Sequence, residues 1–269
     1  MAMTKNPEFP WLDTARYPWQ GRYLDCGGAR MHYVDVGTGP QTLLFVHGTP
    51  TWSLDWADLI RQYAPTHRCI AVDHVGFGLS DKPRDYPYST ARHADNLARL
   101  MTALDLRDVT LVVHDFGGPI GIAAALAQPG RVRRLVVFNS WCWSSRGEAD
   151  YEKFARVLRS PLLPFLYRWL NFSPRFLLRA GYHDKSQLPA ALHRQYLQPF
   201  RRRVNREGPL AFARSLAQDQ EWFQSLWDRR AELGLTGADV RLIWGLQDTF
   251  IGPQYLDKWL VGFPGAHVQ

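Results

Sequence analysis

The chain has 269 residues, 46% of them hydrophobic, and a formal net charge of +7. That length suits one α/β domain with an insertion, and no run of about 18 apolar residues is present to cross a membrane. The charge is moderate, and its densest patch (Arg201, Arg202, Arg203 and Arg206) lacks any recognition motif, so it reads as a solvated helix face with no nucleic-acid or membrane partner.

In chain order, the first twenty residues contain no apolar core of a signal peptide. Cys26, Cys69 and Cys142 are scattered and show no metal or redox spacing, which predicts reduced thiols in a cytoplasmic protein with no metal and no cofactor. Strands are predicted at Met31–Val36, Thr42–Val46, Cys69–Val72, Val109–His114, Val132–Phe138 and Val240–Trp244. Several are near-continuous Val, Ile and Leu, as parallel strands buried on both faces require. Between them, Ser89–Leu104 carries Leu97, Leu100, Met101 and Leu104 at helical spacing, with Ser89 or Thr90 as N-cap. The alternation predicts a mostly parallel sheet flanked by helices.

The alternation stops between about residues 140 and 236. That stretch reads as helix and loop, punctuated by Pro161, Pro164, Pro174 and Pro189 and rich in aromatics, Phe154 and Trp169 among them. A helical block between two strands of one sheet belongs over the strand C-termini, where open α/β sheets bind ligands. The predicted organisation is therefore a core of residues 1–139 and 237–269 with a helical cap of residues 140–236.

Three motifs follow predicted strands. His47-Gly48-Thr49-Pro50 follows the second, and Asp73 to Pro83 (DHVGFGLSDKP) follows the third. At Val112 to Gly121 a run of β-formers ends at Asp115, and Gly117 and Gly118 open a helix. This is the layout of a nucleophile elbow, a strained strand-to-helix turn that presents one side chain at the top of a sheet. The occupant here is Asp, which attacks carbon electrophiles to form a covalent ester. A lone Asp in this context reads equally as a helix N-cap. Three ordered motifs at three strand ends carry the catalytic reading.

HGTPTW, DHVGFGLSDKP and VVHDFGG resemble the haloalkane dehalogenase branch of the α/β-hydrolases, with epoxide hydrolases as close relatives. The resemblance runs from about Arg30 to the end. It implies in-line attack by Asp115 on a carbon bearing a leaving group, then hydrolysis of the alkyl ester by water that a His activates, the His being oriented by a second acid. The implied substrate is a small apolar organohalide and the product a halide. Asp248, just beyond a buried strand, is the candidate orienting acid, and its plainer role is a turn cap. Family members that place this acid after the preceding strand would have it at Asn139, which carries no charge.

Family order puts the catalytic His after the acid. Only His267 follows Asp248, at the start of a last strand and hence at the wrong edge, so the expectation is a chain continuing past Gln269. His47, His74 and His114 are expected to pack and to fix loops. The halide-donating Trp and Asn or Glu of the family correspond to Phe116 and Thr49. Phe has no donor and Thr offers one hydroxyl, although both backbone N–H groups can serve an oxyanion hole. Trp141 and Trp143 are candidates to donate indole N–H groups, or to line the hinge of the cap. Two alternatives stay open. Tyr151, Tyr167, Tyr182 and Tyr196 keep an epoxide hydrolase in view. The missing His and weak halide donors keep a non-catalytic or single-turnover binding homologue in view.

Overall fold

A computed structural model describes residues 8–269, with the side chains of Ala149, Asp150 and Phe154 outside that description. The first seven residues of the expected core, and the side chain of Phe154 in the expected cap, therefore lie outside the described parts.

Eight strands form one sheet: β1 (Arg22–Asp25), β2 (Arg30–Val36), β3 (Thr42–Val46), β4 (Arg68–Val72), β5 (Val109–Asp115), β6 (Val132–Ser140), β7 (Val240–Ile243) and β8 (His267–Val268). Their order is β1-β2-β4-β3-β5-β6-β7-β8. The pairs β1–β2 and β2–β4 are antiparallel, and all later neighbours are parallel. Side chains alternate across each central strand, and both faces are buried. Leu44, Val46, Leu111 and Val113 join one core cluster, while Phe45 and Val112 join the other. This double burial is why the strands read as continuous apolar runs.

Helices α1 (Ala57–Tyr63), α2 (Thr90–Ala103) and α3 (Gly117–Leu126) follow the early strands. Ile60 of α1 packs on the Phe45 face, and Leu97 of α2 and Ile120 of α3 pack on the other. The Ser89 hydroxyl accepts from Arg92 N–H at 3.2 Å, so the expected N-cap closes α2.

Between β6 and β7 the chain forms no strand among the described residues. It builds α4 (Ala149–Leu158), α5 (Leu163–Leu170), α6 (Leu178–Gly181), α7 (Ala190–Leu197), α8 (Glu207–Gln218) and α9 (Gln220–Asp228), joined by short turns. Leu158, Leu163, Tyr167, Leu210 and Ala213 form a separate small core inside this insertion. β6 runs two residues past its predicted end, so Ser140 is strand, and α10 (Pro253–Gly262) follows β7.

Candidate active site

The sheet ends β5 at Asp115, whose φ is +51°. Left-handed backbone is costly for any residue with a Cβ. Surrounding contacts impose it here. The Ser140 hydroxyl donates to the Asp115 carbonyl at 2.5 Å, and the Thr49 N–H donates to its carboxylate Oδ1 at 2.8 Å. The approach is tight enough that a Cβ on Gly48 would lie 2.1 Å from Asp115 Oδ1, and one on Gly118 would lie 1.9 Å from Ser140 Oγ. Two of the motif glycines thus make room for the turn.

Asp115 lines a cavity of about 1960 Å³ between the strand ends and the insertion. Thr49, Phe116, Asp248, Trp141 and Trp143 line the same cavity. All six residues singled out from the sequence therefore meet in one place. Burial pushes the Asp115 carboxyl up, the nearby His114 and the Phe116 and Thr49 N–H groups pull it down, and Asp248 pushes it up again. The balance lies at about 6.

The neighbours hold distinct positions. Phe116 is buried and meets Trp141 edge-on, with ring centroids 5.0 Å apart. Among the described residues no hydrogen bond engages the indole N–H of Trp141 or Trp143. Trp143 is wedged against Trp227 and Trp259, with the Lys258 ammonium 4.9 Å over its ring. Its ring is mainly wall, the plainer of its two expected roles. Asp248 Oδ1 accepts from the N–H groups of Phe250 and Ile251 at 2.7 and 3.0 Å. So Asp248 does cap a turn, and it does so on the cavity wall. Asn139 fastens that same loop: its amide accepts from Gly245 N–H at 2.8 Å and donates to the carbonyls of Gly245 and Ile251.

His47 and His74 lie buried beneath the Thr49 turn. His47 Nε2 accepts from the His74 N–H at 3.0 Å, and the His74 ring meets the His47 carbonyl at 3.0 Å. They fix the loop as expected, although His74 Nδ1 has no partner among the described residues. His114 departs from that expectation, because it lines the cavity, as does His183. His267 pairs in register with Arg241, is exposed and does not line the cavity.

The four tyrosines all line the cavity, but their hydroxyls are engaged. Tyr151 donates to the Leu216 carbonyl at 3.0 Å, and Tyr167 is hydrogen-bonded to Ser173. Tyr182 bonds Tyr196, which donates to Asp55 at 2.5 Å. This tyrosine–tyrosine–aspartate chain went unseen in the sequence, because Tyr196 and Asp55 are 141 positions apart. Ser140, which steadies the elbow, was equally hidden, since a serine at a strand end carries no pattern. Among the described residues no cluster of His, Cys, Asp or Glu has the makings of a metal site.

Comparisons with known proteins agree with this geometry. A family model described as the alpha/beta hydrolase fold matches residues 41–268. Haloalkane dehalogenase 2 of Mycobacterium tuberculosis is 32% identical over 263 residues, covering 94% of this chain and 90% of that protein. A cis-3-alkyl-4-alkyloxetan-2-one decarboxylase of Shewanella oneidensis is 34% identical over 266 residues, covering 96% of this chain and 82% of that one. Among solved structures, the haloalkane dehalogenase DatA of Agrobacterium tumefaciens C58 superposes with a TM-score of 0.80 at 25% identity, covering 93% and 87% of the two chains. The chain belongs to the alpha/beta hydrolase fold family, in its haloalkane dehalogenase-like branch.

Proposed function

We propose that this protein is a hydrolase in which the Asp115 carboxylate attacks an electrophilic carbon, forms an alkyl ester and expels a halide from a small organohalide. The observation that carries the reading is the Asp115 turn itself, a carboxylate on the cavity floor with one oxygen held at 2.8 Å by the Thr49 N–H. Residues 141 to 236 act as a cap that closes the cavity over it. In this reading Trp141 donates its free indole N–H to the departing halide, compensating for Phe116. Asp248 is the acid that completes the site.

Attack needs no base, because the carboxylate is ionised above its titration point. Hydrolysis of the ester does need one. Among the described residues no histidine is hydrogen-bonded to Asp248, and no hydrogen bond joins the His114 or His183 ring to a carboxylate. The expected behaviour of the 269-residue chain is therefore a stoichiometric burst of halide followed by slow release.

A second reading has specific support. The family's halide-donating Trp is Phe116 here, the cavity exceeds the roughly 300–1,000 Å³ usual for small-molecule sites, and one relative is named for acting on a dialkyl oxetanone. Carboxylate attack on C4 of such a four-membered lactone breaks its C–O bond and releases the ring carboxylate. Loss of CO2 from C3 then sends that electron pair into a C3–C4 double bond and returns the Asp115 carboxylate. The products are an alkene and CO2, and no water is activated. The deciding experiment incubates the protein separately with a haloalkane panel and with cis-dialkyl oxetanones. Halide release supports the first reading, alkene with CO2 the second. An absence of both products and of any Asp115 adduct overturns both.

A further inference from the structure

One stretch of the insertion differs in charge from everything else. From Lys153 to Arg206 the sequence contains twelve Lys and Arg against a single acid, Asp184. That is a net +11 in a chain whose total is +7, so the remaining residues together carry −4. The same stretch exposes large apolar side chains. Leu162 is 65% exposed, Trp169 59%, Phe176 53% and Phe165 51%, with Leu170 and Val204 beside them in class. Scattered exposed apolar residues are ordinary, but a contiguous exposed group marks an interaction surface.

Contacts tie Phe165, Trp169 and the arginines beside them into one face. The rings of Phe165 and Trp169 stack at 6.2 Å on the outer side of α5. The Arg203 guanidinium lies 3.8 Å over Trp169. Arg206 donates to the Arg168 carbonyl at 2.7 Å, and burial first, then the nearby Arg175 and Arg203, lower its basicity. The inner side of α5 is satisfied, with Leu163 and Tyr167 in the small core and Tyr167 on the cavity wall. The outer side leaves Phe165 and Trp169 more than half exposed.

We propose that this outer face docks on a bilayer surface rich in anionic lipid. The aromatic and aliphatic side chains would sit at the boundary of headgroups and acyl chains, and the exposed Arg201, Arg202 and Arg203 would engage lipid phosphates, since Arg168 is held by Glu207 and Arg206 by backbone carbonyls. Charge complementarity favours this occupant. A strongly basic rim around an apolar centre is the pattern of interfacial binding, where apolar burial and attraction to anionic lipid act together. A second copy fits poorly, because a symmetric pair would set like charge against like charge. Nucleic acid fits poorly as well, since Leu162, Leu170 and Val204 offer no stacking plane. No described helix is long and apolar enough to cross a membrane, which leaves surface binding untouched. The proposal is independent of the chemistry assigned to Asp115.

The test is co-sedimentation of the full 269-residue chain with vesicles of phosphatidylcholine alone and with about 30% phosphatidylglycerol. Pelleting at least about tenfold stronger with the anionic vesicles, weakening with salt, is expected. Phe165→Ser with Trp169→Ser, and separately Arg201→Gln with Arg202→Gln, should each lose most of that binding while keeping the wild-type circular dichroism. If the serine pair misfolds, brominated acyl chains provide a second readout, quenching wild-type emission more than that of Trp169→Phe. Equal pelleting with both vesicle types overturns the proposal, as does binding that survives the serine pair. Light scattering that shows a dimer dissolved by the same substitutions overturns it in favour of a second copy. Tighter binding to duplex DNA than to vesicles overturns it in favour of nucleic acid.

Discussion

The sheet and the helical insertion between β6 and β7 solve opposite problems. In the sheet, strand-end residues near Asp115 are tied across to neighbouring strand ends: Thr49 after β3 and Ser140 of β6 to Asp115, and Asn139 of β6 to the loop after β7. In the insertion, the helices bury one side in a small core and leave Leu162, Phe165 and Trp169 in solvent. On the proposed reading, the first region builds reactivity by removing freedom, while the second, which tolerates loose surfaces, shapes what approaches.

The largest expected effect breaks the sheet side of this contrast. Asp115→Asn replaces an ionised nucleophile with a neutral amide and should lower covalent adduct formation by more than about 10³-fold. Intact-protein mass spectrometry after haloalkane treatment reads it. An adduct of unchanged yield would move the nucleophile elsewhere.

The next effect probes the same rigidity beneath the site. His32 Nδ1 and Asp73 Oδ2 are 2.9 Å apart and both fully buried, and Asp73 also accepts from the N–H groups of Ser53 and Leu79. Burial pushes the Asp73 carboxyl up, but the facing histidines and the Leu79 N–H outweigh it and hold it well below its usual range. Breaking a buried pair leaves one polar group stranded, so Asp73→Asn should cost about 3–5 kcal/mol in urea unfolding. A depressed folded-state carboxyl stabilises at pH above its unfolded value near 4. Wild-type stability should fall as pH drops below that value, and the variant should show a flatter profile.

A smaller effect is graded by pH. Because Asp115 titrates at about 6, its attack should be half-maximal there and fall about tenfold per pH unit below. Single-turnover halide release between pH 4 and 8 measures this. A midpoint near 4 would mean that the cavity does not desolvate the carboxylate.

The smallest effect sharpens the contrast from the insertion side. Phe165→Ser alone should change the urea midpoint by no more than the equivalent of about 0.5 kcal/mol, as exposed substitutions do. Leu111→Ala in the sheet should cost about 2–5 kcal/mol. Similar losses from both would erase the distinction between the two regions.

Much of the sheet was legible because burial on both faces forces continuous apolar runs, as in Val109–Val113 and Thr42–Val46. β1 was not legible. Arg22–Asp25 (RYLD) sits at an edge with only partial burial, so no apolar pattern selects it. The Asp115 turn was readable because it is one of three ordered motifs at three strand ends, which sets it apart from a plain helix N-cap. Asp248 was readable from its place after β7, but its double duty as turn cap and cavity wall was not. The Asp55–Tyr196–Tyr182 chain was invisible, since tertiary folding alone joins α7 to the turn before α1. The surface of α5 was half legible: its charge is in the sequence, while its exposure depends on what α8 covers.

The left-handed turn at Asp115 has one more consequence. A non-glycine residue in that region costs about 1–2 kcal/mol, and the buried charge adds its own desolvation cost. Asp115 is thus among the residues that make this protein less stable than it could be. Asp115→Gly should melt higher than the wild type in calorimetry while reacting with nothing, whereas glycine at a relaxed strand position should melt lower. Tolerance to mutation elsewhere is then limited by the site: stability spent on holding one reactive carboxylate is unavailable to absorb changes in the cap that would alter what it attacks.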